Sequence, residues 1–129
     1  MIILICGLPN AGKTTFSARF SKVVHFDECP MPRREVFEQI IAKAQGDICA
    51  EGVCNSSKSR LSFLHAVSHK QERKVCIWLD TPLEECIRRE KAYRKRPISM
   101  VEAHARRFQP PTYEEGWDEI IRITAEDAE

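Results

Sequence analysis

The chain begins with MIILICGLPNAGKTTF, an apolar run that leads through a glycine-bounded turn into Gly-Lys-Thr-Thr. The apolar run predicts a β-strand buried on both faces, and the residues after Gly12 predict a helix. Between a buried strand and a new helix, the backbone N–H groups of such a turn converge and favour an anion. This stretch therefore predicts an α/β fold with a phosphate-binding loop at the end of its first strand.

Segments typical of strands and helices alternate along the rest of the sequence. The predicted strands after MIILIC are KVVHFD, GDICAEG, KVCIWLD and DEIIRIT. The predicted helices are GKTTFSARFS, PRREVFEQIIAKAQ, SSKSRLSFLHAVSHKQER, TPLEECIRREKAYRKR and PISMVEAHARRF. This alternation predicts a five-stranded parallel sheet flanked by helices. A length of 129 residues without a repeat or linker predicts a single domain, 1–129.

Apolar spacing and capping residues predict how individual helices begin and pack. The Thr-Pro pair at Thr81 predicts a threonine cap and a sharp start for the fourth helix. The expected apolar positions are Phe37, Ile40 and Ile41 in the second helix and Leu61, Leu64 and Val67 in the third.

The composition, with 43% hydrophobic and 30% charged residues, is ordinary for a soluble globular protein. The formal net charge of +1 does not by itself indicate a nucleic-acid partner. None of the six cysteines forms a Cys-x-x-Cys pair, so we expect reduced thiols, not disulfides or a zinc site. The first apolar run is too short for a signal peptide or a membrane span, which favours a cytoplasmic protein with no membrane partner.

The segment from Gly7 to Thr14 fits the Gly-x4-Gly-Lys-Thr pattern of phosphate-binding loops. We expect Lys13 to reach the β- and γ-phosphates of a nucleotide, and Thr14 to ligate Mg²⁺. The sequence contains no Asn-Lys-x-Asp segment for guanine, which favours ATP. The alternative is a strand-to-helix turn that binds nothing. The residues expected to bind the nucleotide here are Gly7, Pro9, Asn10, Ala11, Gly12, Lys13, Thr14 and Thr15.

Three acidic residues directly follow predicted strands, at the edge where parallel sheets bind ligands. Asp27 is the predicted general base that accepts the proton of an acceptor hydroxyl, with a helix cap as the alternative. Glu51 has two equal interpretations: it holds an Mg²⁺-bound water or positions the acceptor, or it is a strand-end acid without a functional role. Asp80 precedes Thr-Pro and is expected to cap the next helix.

The segment 87–107 carries eight Lys/Arg residues against two acids. The density of arginines is high, and Pro97 interrupts the helical segment. Together these features predict a lid at about 88–107 whose arginines neutralise charge on a nucleotide. The alternative is a solvated helix face with ion pairs at i,i+4. The candidate lid arginines are Arg88, Arg89, Arg94 and Arg96.

With these features the chain resembles the P-loop kinases of the polynucleotide 5′-hydroxyl kinase family over almost its whole length. GLPNAGKTT is similar to the family's phosphate loop, and VVHFDE is similar to its strand ending in the general-base Asp. RFQPPTYEEGWDEIIRI resembles the family's C-terminal Pro-Pro…Glu-Gly-aromatic segment, which runs beside the nucleotide site. AEGVCNSSKSR and TPLEECIRREKAYRKRPIS resemble the third strand with its turn, and the helix with its lid.

The resemblance implies roles for individual residues. Asp27 would be the general base, and Arg89 and Arg94 best match phosphate-contacting arginines, with Arg96 as the fallback. The implied catalytic set is Asp27, Lys13 and Arg94. The family's acceptor-contacting arginine follows its Asp closely, whereas the first arginines here come later. The implied acceptor-binding residues are Arg33 or Arg34, with Glu51 and Asn55.

The resemblance also implies ATP- and Mg²⁺-dependent phosphoryl transfer to the 5′-OH end of DNA or RNA. No Asp-x-Asp-x-Thr motif is present, so we expect no phosphatase activity. The alternative is a kinase for a small-molecule hydroxyl, such as a nucleoside, nucleotide or sugar, and a nucleotide-dependent switch is a third hypothesis. No obligatory protein partner is expected, and a homo-oligomer is left open.

Overall fold

The structure is a computed structural model of the chain that describes residues 1–52 and 54–124. Two single 3₁₀ turns, Phe26–Glu28 and Tyr113–Glu115, supplement its strands and helices. In chain order the strands and helices are β1 (Ile2–Gly7), α1 (Lys13–Ser17), β2 (Val23–His25), α2 (Arg33–Lys43), β3 (Ile48–Glu51), α3 (Ser57–Ala66), β4 (Lys74–Asp80), α4 (Leu83–Tyr93), α5 (Ile98–Arg107) and β5 (Glu119–Thr124).

All five strands pair in parallel, in the order β2-β3-β1-β4-β5. The predicted five-stranded parallel sheet flanked by helices is therefore confirmed. The register places Ile5 of central β1 opposite Glu51 of β3, and Gly7 opposite Leu79 of β4. The loop that leaves β1 thus lies between the ends of β3 and β4, at the edge where parallel sheets bind ligands.

Side chains of β1 alternate between two apolar clusters, one on each face of the sheet. Leu4 belongs to the cluster that contains Phe37 of α2 and Phe63 of α3. Ile5 belongs to the cluster that contains Val101 of α5. Every residue of β1 is buried, as predicted for a strand covered on both faces.

Several predicted elements are shorter in the structure, among them SSKSRLSFLHAVSHKQER, which is helical only over Ser57–Ala66. Two of the shortened elements position the site. GKTTFSARFS is helical only over Lys13–Ser17, because the Ser17 hydroxyl donates to the Thr14 carbonyl oxygen (2.7 Å) and the next N–H groups bond to carbonyls three residues back. β2 ends at His25, and the following 3₁₀ turn carries Asp27. The general-base candidate is therefore presented by a turn instead of the strand itself.

The predicted apolar faces of α2 and α3 are partly wrong. Ile40 is 42% exposed and Leu61 is 47% exposed, whereas Arg60 and Phe63 of α3 are fully buried. The rotation of α3 brings Arg60 inward to a buried partner, and the spacing of apolar residues does not reveal such a partner. The expected positions that are buried are Phe37, Ile41 and Val67.

The predicted side-chain caps of α4 are also wrong, although the helix begins directly after Thr81-Pro82. Asp80 does not cap the helix, because its carboxylate accepts a hydrogen bond from Arg122 Nε on neighbouring β5 (2.8 Å). The Thr81 hydroxyl donates to the Ala11 carbonyl oxygen of the phosphate loop (2.8 Å). Pro82 stands at the N-cap with no side-chain cap. Asp80 and Thr81 therefore bond to other elements, and neither side chain caps α4.

All six cysteines are free and buried. Within residues 1–52 and 54–124, no helix combines the length and apolarity that crossing a bilayer requires.

Candidate active site

A cleft of about 1140 Å³ opens at the carboxyl edge of the sheet. The phosphate loop, the Phe26–Glu28 turn, the end of β3, α4, the turn after α4 and α5 contribute to its walls. The predicted site residues that line it are Pro9, Asn10, Ala11, Gly12, Lys13, Thr14, Thr15, Asp27, Glu51, Asn55 and Arg89. The predicted residues that do not line it are Gly7, Arg33, Arg34 and Arg94.

The phosphate loop is wrapped tightly around the Lys13 ammonium. Gly7 lies so close to β4 that an added Cβ atom would be 2.8 Å from the Leu79 carbonyl oxygen, so only glycine fits. Asn10 has a left-handed backbone with φ of 66°. Lys13 Nζ donates to the Gly7 carbonyl oxygen (2.7 Å). The positive charge is therefore held where phosphate oxygens of a nucleotide would approach the loop.

Two side chains from other elements hold this loop in place. The Gly7 N–H donates to Asn55 Oδ1 (3.2 Å), and Arg89 Nη1 donates to the Asn10 carbonyl oxygen (2.7 Å). Arg89, which sequence reasoning assigned to phosphate contact, thus also braces the loop against α4.

Asp27 owes its place in the cleft to close packing behind it. An added Cβ atom on Gly52, just after β3, would lie 2.1 Å from the Phe26 Cβ atom, so this contact requires glycine. The contact holds the 3₁₀ turn against the end of β3. Asp27 and Glu51 therefore line the same cleft, and Asp27 is exposed there.

Glu51 has both a hydrogen-bond partner and a position in the cleft. Its Oε2 atom lies 2.7 Å from Nδ1 of His25, the last residue of β2. Burial lowers the pKa of Lys13, and the negative charges of Glu51 and Asp27 act in the opposite direction. The two carboxylates and the ammonium therefore share one electrostatic environment, and both interpretations of Glu51 stay open.

The cleft offers the oxygen ligands that Mg²⁺ prefers. They are the hydroxyl of Thr14 at the start of α1 and the carboxylates of Asp27 and Glu51. In the described part of the chain, no three His, Cys, Asp or Glu side chains cluster tightly enough to hold a metal ion alone. This donor set fits an ion that shares its coordination with nucleotide phosphates and water.

The basic segment directs two of its four candidate arginines into the cleft, Arg89 and Arg96. The side chain of Arg88 is 71% exposed and pairs with Glu85. Arg94 ends α4 with a left-handed backbone, φ of 56°, and is exposed outside the cleft. The fallback arginine of the family resemblance, Arg96, is therefore better placed than Arg94.

A smaller pocket of about 210 Å³ adjoins the cleft, because Asn55 and His104 line both. Arg34 and Arg107 also line this pocket, on α2 and α5. Arg33 instead donates from Nε to a backbone carbonyl of its own segment (3.1 Å). Of the two alternative acceptor arginines, Arg34 is the one placed beside the cleft.

Sequence reasoning missed several cleft residues, most notably His104 on α5. Burial lowers the pKa of His104, and the charges of Lys13, Arg107 and Arg96 act in the same direction. Thr81 and Pro82 stand directly after β4, so the strand-end rule that found Asp27 also applied to them. The other missed residues are Phe16, Arg19, Leu79, Glu85, Tyr93, Lys95, Ile123 and Thr124.

The C-terminal segment RFQPPTYEEGW begins beside the cleft, where Arg107 lines the adjoining pocket and the Gln109 N–H donates to the carbonyl oxygen of Asn55 (2.9 Å). Its Glu-Gly-Trp end lies in the core instead. Glu115 forms a two-bond ion pair with Arg60 (2.9 and 3.0 Å) and accepts a hydrogen bond from Trp117 Nε1 (2.9 Å). All three residues are buried. The Glu-Gly-Trp residues that carried the resemblance here build core structure under α3.

Comparison with other proteins gives a clear result for the fold alone. No family model and no curated protein matches the sequence. Kti12 from Chaetomium thermophilum, solved in complex with ADP-AlF3, has a TM-score of 0.75 at 13% identity, over 98% of this chain and 90% of that one. The chain has the fold of the P-loop kinases.

Two further structures share this fold. A gluconokinase from Sinorhizobium meliloti has a TM-score of 0.73 at 10% identity, over 95% of this chain and 81% of that one. The APS kinase CysC of Mycobacterium tuberculosis, solved in complex with AMPPNP and APS, has a TM-score of 0.66 at 16% identity, over 98% and 91%. The narrower resemblance to polynucleotide kinases stays a prediction.

Proposed function

We propose that this protein transfers the γ-phosphoryl group of ATP to a hydroxyl group of an acceptor. The observation that carries the proposal is that the Lys13 ammonium and the Asp27 carboxylate line one cleft. A switch that only binds a nucleotide needs the phosphate-binding group, but it has no need for a base beside it.

In the proposed reaction, the acceptor oxygen forms a bond to the γ-phosphorus while the bond from that phosphorus to the β–γ bridging oxygen breaks. Asp27 orients the hydroxyl group and receives its proton, and ADP leaves with the electron pair. Lys13 and Arg89 offset the charge of the phosphates. Thr14 would hold Mg²⁺ together with the nucleotide phosphates, and the ion would supply Lewis-acid stabilisation when bound.

The acceptor that we propose first is a small molecule with a hydroxyl group. Support comes from proteins with the same fold, which include a gluconokinase and an APS kinase solved with APS. The cleft volume of about 1140 Å³ is slightly larger than the ~300–1,000 Å³ typical of small-molecule pockets. Such a volume suits a site that a nucleotide and a small acceptor share.

The second candidate acceptor is the 5′-OH end of DNA or RNA. The specific observation in its favour is the smaller pocket, where Arg34 and Arg107 lie beside the cleft that contains Asp27. Paired arginines suit the phosphodiester groups of a strand whose end reaches the base. The family resemblance of the sequence points to the same acceptor.

An acceptor panel tests the proposal. Purified protein with Mg²⁺ and γ-labelled ATP is offered gluconate, a nucleoside, a nucleoside 3′-phosphate, and 5′-OH oligonucleotides of DNA and RNA. Labelling of small acceptors with little salt dependence supports the first candidate. Preference for oligonucleotides with a steep salt dependence supports the second. If neither these acceptors nor a wider set of alcohols gains label, transfer to a hydroxyl group is contradicted.

Substitution of the base gives a second test. Asp27→Asn should lower kcat about 10²–10⁴-fold, because the amide cannot accept the proton, while ATP binding and the melting temperature change little. Glu35→Gln, on the exposed surface of α2, is the matched control that removes a carboxylate outside the cleft. Wild-type turnover by Asp27→Asn would contradict the base assignment.

A further inference from the structure

Glu90 of α4 is a buried carboxylate that the proposed reaction does not use. Its side chain is 0% exposed, in a helix whose other charged residues are mostly at the surface. Oε1 accepts a hydrogen bond from Asn10 Nδ2 (3.0 Å). Oε2 accepts from the backbone N–H groups of Lys95 (2.7 Å) and Arg96 (3.0 Å). One carboxylate thus holds three N–H donors from two different parts of the chain.

Both parts contribute to the walls of the cleft. Asn10 is the left-handed residue of the phosphate loop, and its side chain also donates to the Cys86 carbonyl oxygen (3.3 Å). Lys95 and Arg96 form the turn between α4 and α5, and both side chains line the cleft. The Glu90 carboxylate therefore fixes the distance between the loop that would hold the phosphates and the turn that carries Lys95 and Arg96.

The Arg96 side chain is held much less firmly than its backbone. Its Nε atom lies 3.5 Å from Glu90 Oε1, beyond a strong hydrogen bond, and the side chain remains 30% exposed. The guanidinium can move toward an anion in the cleft, while the two N–H groups of the turn stay bonded to Glu90.

Ionised Glu90 is consistent with these contacts. Burial opposes the charge, but the hydrogen bonds from Asn10 and from the backbone of Arg96 and Lys95 outweigh it, so the pKa of Glu90 is lowered. The positive charge of Arg96 acts in the same direction. An ionised acceptor makes stronger hydrogen bonds than a neutral one, which suits a group that braces two walls.

We propose that Glu90 is a positioning residue that aims Arg96 at the γ-phosphate of bound ATP by bracing the α4–α5 turn against the phosphate loop. This inference rests on the proposed function, because it assumes that the cleft binds ATP. It places Arg96, in place of Arg94, beside Arg89 as a phosphate-contacting arginine of the basic segment. Arg94 contributes instead through its left-handed backbone, which turns the chain back toward Glu90.

Nucleotide affinity tests this inference without any acceptor. Binding of Mg·AMPPNP and of Mg·ADP is measured by calorimetry for the wild type, Arg96→Ala, Glu90→Gln and the double variant. Arg96→Ala should weaken AMPPNP binding about tenfold or more and ADP binding much less, because a charge-assisted contact to the γ-phosphate is lost. Glu90→Gln should weaken AMPPNP binding about fivefold and ADP binding much less. Glutamine has a single acceptor oxygen, so it cannot accept hydrogen bonds from both the loop and the turn as the carboxylate does.

The double variant separates positioning from general stability. If Glu90 acts through Arg96, the double variant binds AMPPNP within about twofold of Arg96→Ala alone, whereas independent effects would multiply. Lys91→Ala removes an exposed cation of α4 outside the cleft and should leave both affinities unchanged. Should Glu90→Gln fail to fold, Glu90→Asp keeps the charge with a shorter reach and takes its place in the cycle.

The nucleotide-binding measurements can contradict the role of Glu90 independently of whether the acceptor panel contradicts phosphoryl transfer. Equal losses for AMPPNP and ADP, multiplied losses in the double variant, or a wild type that binds no AMPPNP would overturn the role of Glu90. Selective loss of AMPPNP affinity together with no labelled acceptor would sustain the role of Glu90 and contradict the proposed transfer.

Discussion

Residues 1–52 and 54–124 include three buried glutamates, Glu51, Glu90 and Glu115, and the partners of the last two differ in kind. Glu115 meets a full opposite charge, the guanidinium of Arg60, through two hydrogen bonds of 2.9 and 3.0 Å inside the core beneath α3. Glu90 meets three N–H donors, none of them charged, with the Arg96 guanidinium farther away at 3.5 Å. The first carboxylate joins core elements, and the second joins two walls of the cleft.

The difference shows that burial of a charge does not by itself indicate its role. A buried ion pair with both partners enclosed mainly affects whether the chain folds, because removal of one partner strands the other charge. A buried carboxylate bonded to the phosphate loop and to the α4–α5 turn mainly affects geometry at the site. The partners of each glutamate therefore predict which measurement responds to its removal.

The largest effect on stability should come from Glu115→Ala. We expect the free energy of unfolding to fall by about 3–5 kcal/mol, because the Arg60 charge would stay buried without its partner. Urea denaturation followed by circular dichroism measures this change. Glu114→Ala, which removes the exposed neighbouring carboxylate, is the matched control and should change stability little.

A double variant sharpens the same prediction. Arg60→Met with Glu115→Leu removes both charges and should recover much of the loss, since apolar replacement of a buried pair is often neutral. If the double variant is as unstable as Glu115→Ala, the cost lies in packing around Trp117 and not in a stranded charge.

Glu90→Gln should lose less stability than Glu115→Ala in the same urea experiment. Glutamine keeps one carbonyl oxygen as an acceptor, and no guanidinium is left enclosed in the core. The ratio of AMPPNP affinity to ADP affinity should change in Glu90→Gln and stay unchanged in those Glu115→Ala molecules that fold. A change of this ratio in both variants would remove the distinction between the two glutamates.

Acid should weaken the Glu115 ion pair. Burial raises the pKa of Glu115, but hydrogen bonds from Arg60 and Trp117 outweigh burial and hold it below the ordinary 4.5. A carboxylate with a lowered pKa in the folded state contributes stability above pH 4.5 and loses it as the pH falls further. Urea midpoints between pH 6 and pH 3 should therefore fall more steeply for the wild type than for the double variant, and equal slopes would contradict this.

The smallest effect should come from Arg122→Ala. Its ion pair with Asp80 lies at the surface, where the Arg122 side chain is 60% exposed. Such pairs contribute about 0–1 kcal/mol, and stacking of Arg122 on Trp78 adds a contact of similar size. A loss as large as that of Glu115→Ala would show that exposure is a poor guide to the strength of these pairs.

Much of the fold could be predicted because its signals are local. The strand, glycine turn and helix of GLPNAGKTT are contiguous in sequence, and the alternation of strands and helices indicates a parallel sheet. Asp27 was found because parallel strands place their ends at one edge. The 3₁₀ turn that carries it was not predicted, since its cause is a contact between Phe26 and Gly52 of another element.

The sequence by itself determined the phosphate loop, the parallel sheet and the acids beside it, because each depends on neighbouring residues. Tertiary structure alone decided which arginines enter the cleft and which glutamates are buried. Asn10 and Glu90 are 80 positions apart, and Arg60 and Glu115 are 55 apart. Such pairs depend on how helices rotate and dock on the sheet. The sequence alone does not show whether a given carboxylate contacts water, a guanidinium or the phosphate loop.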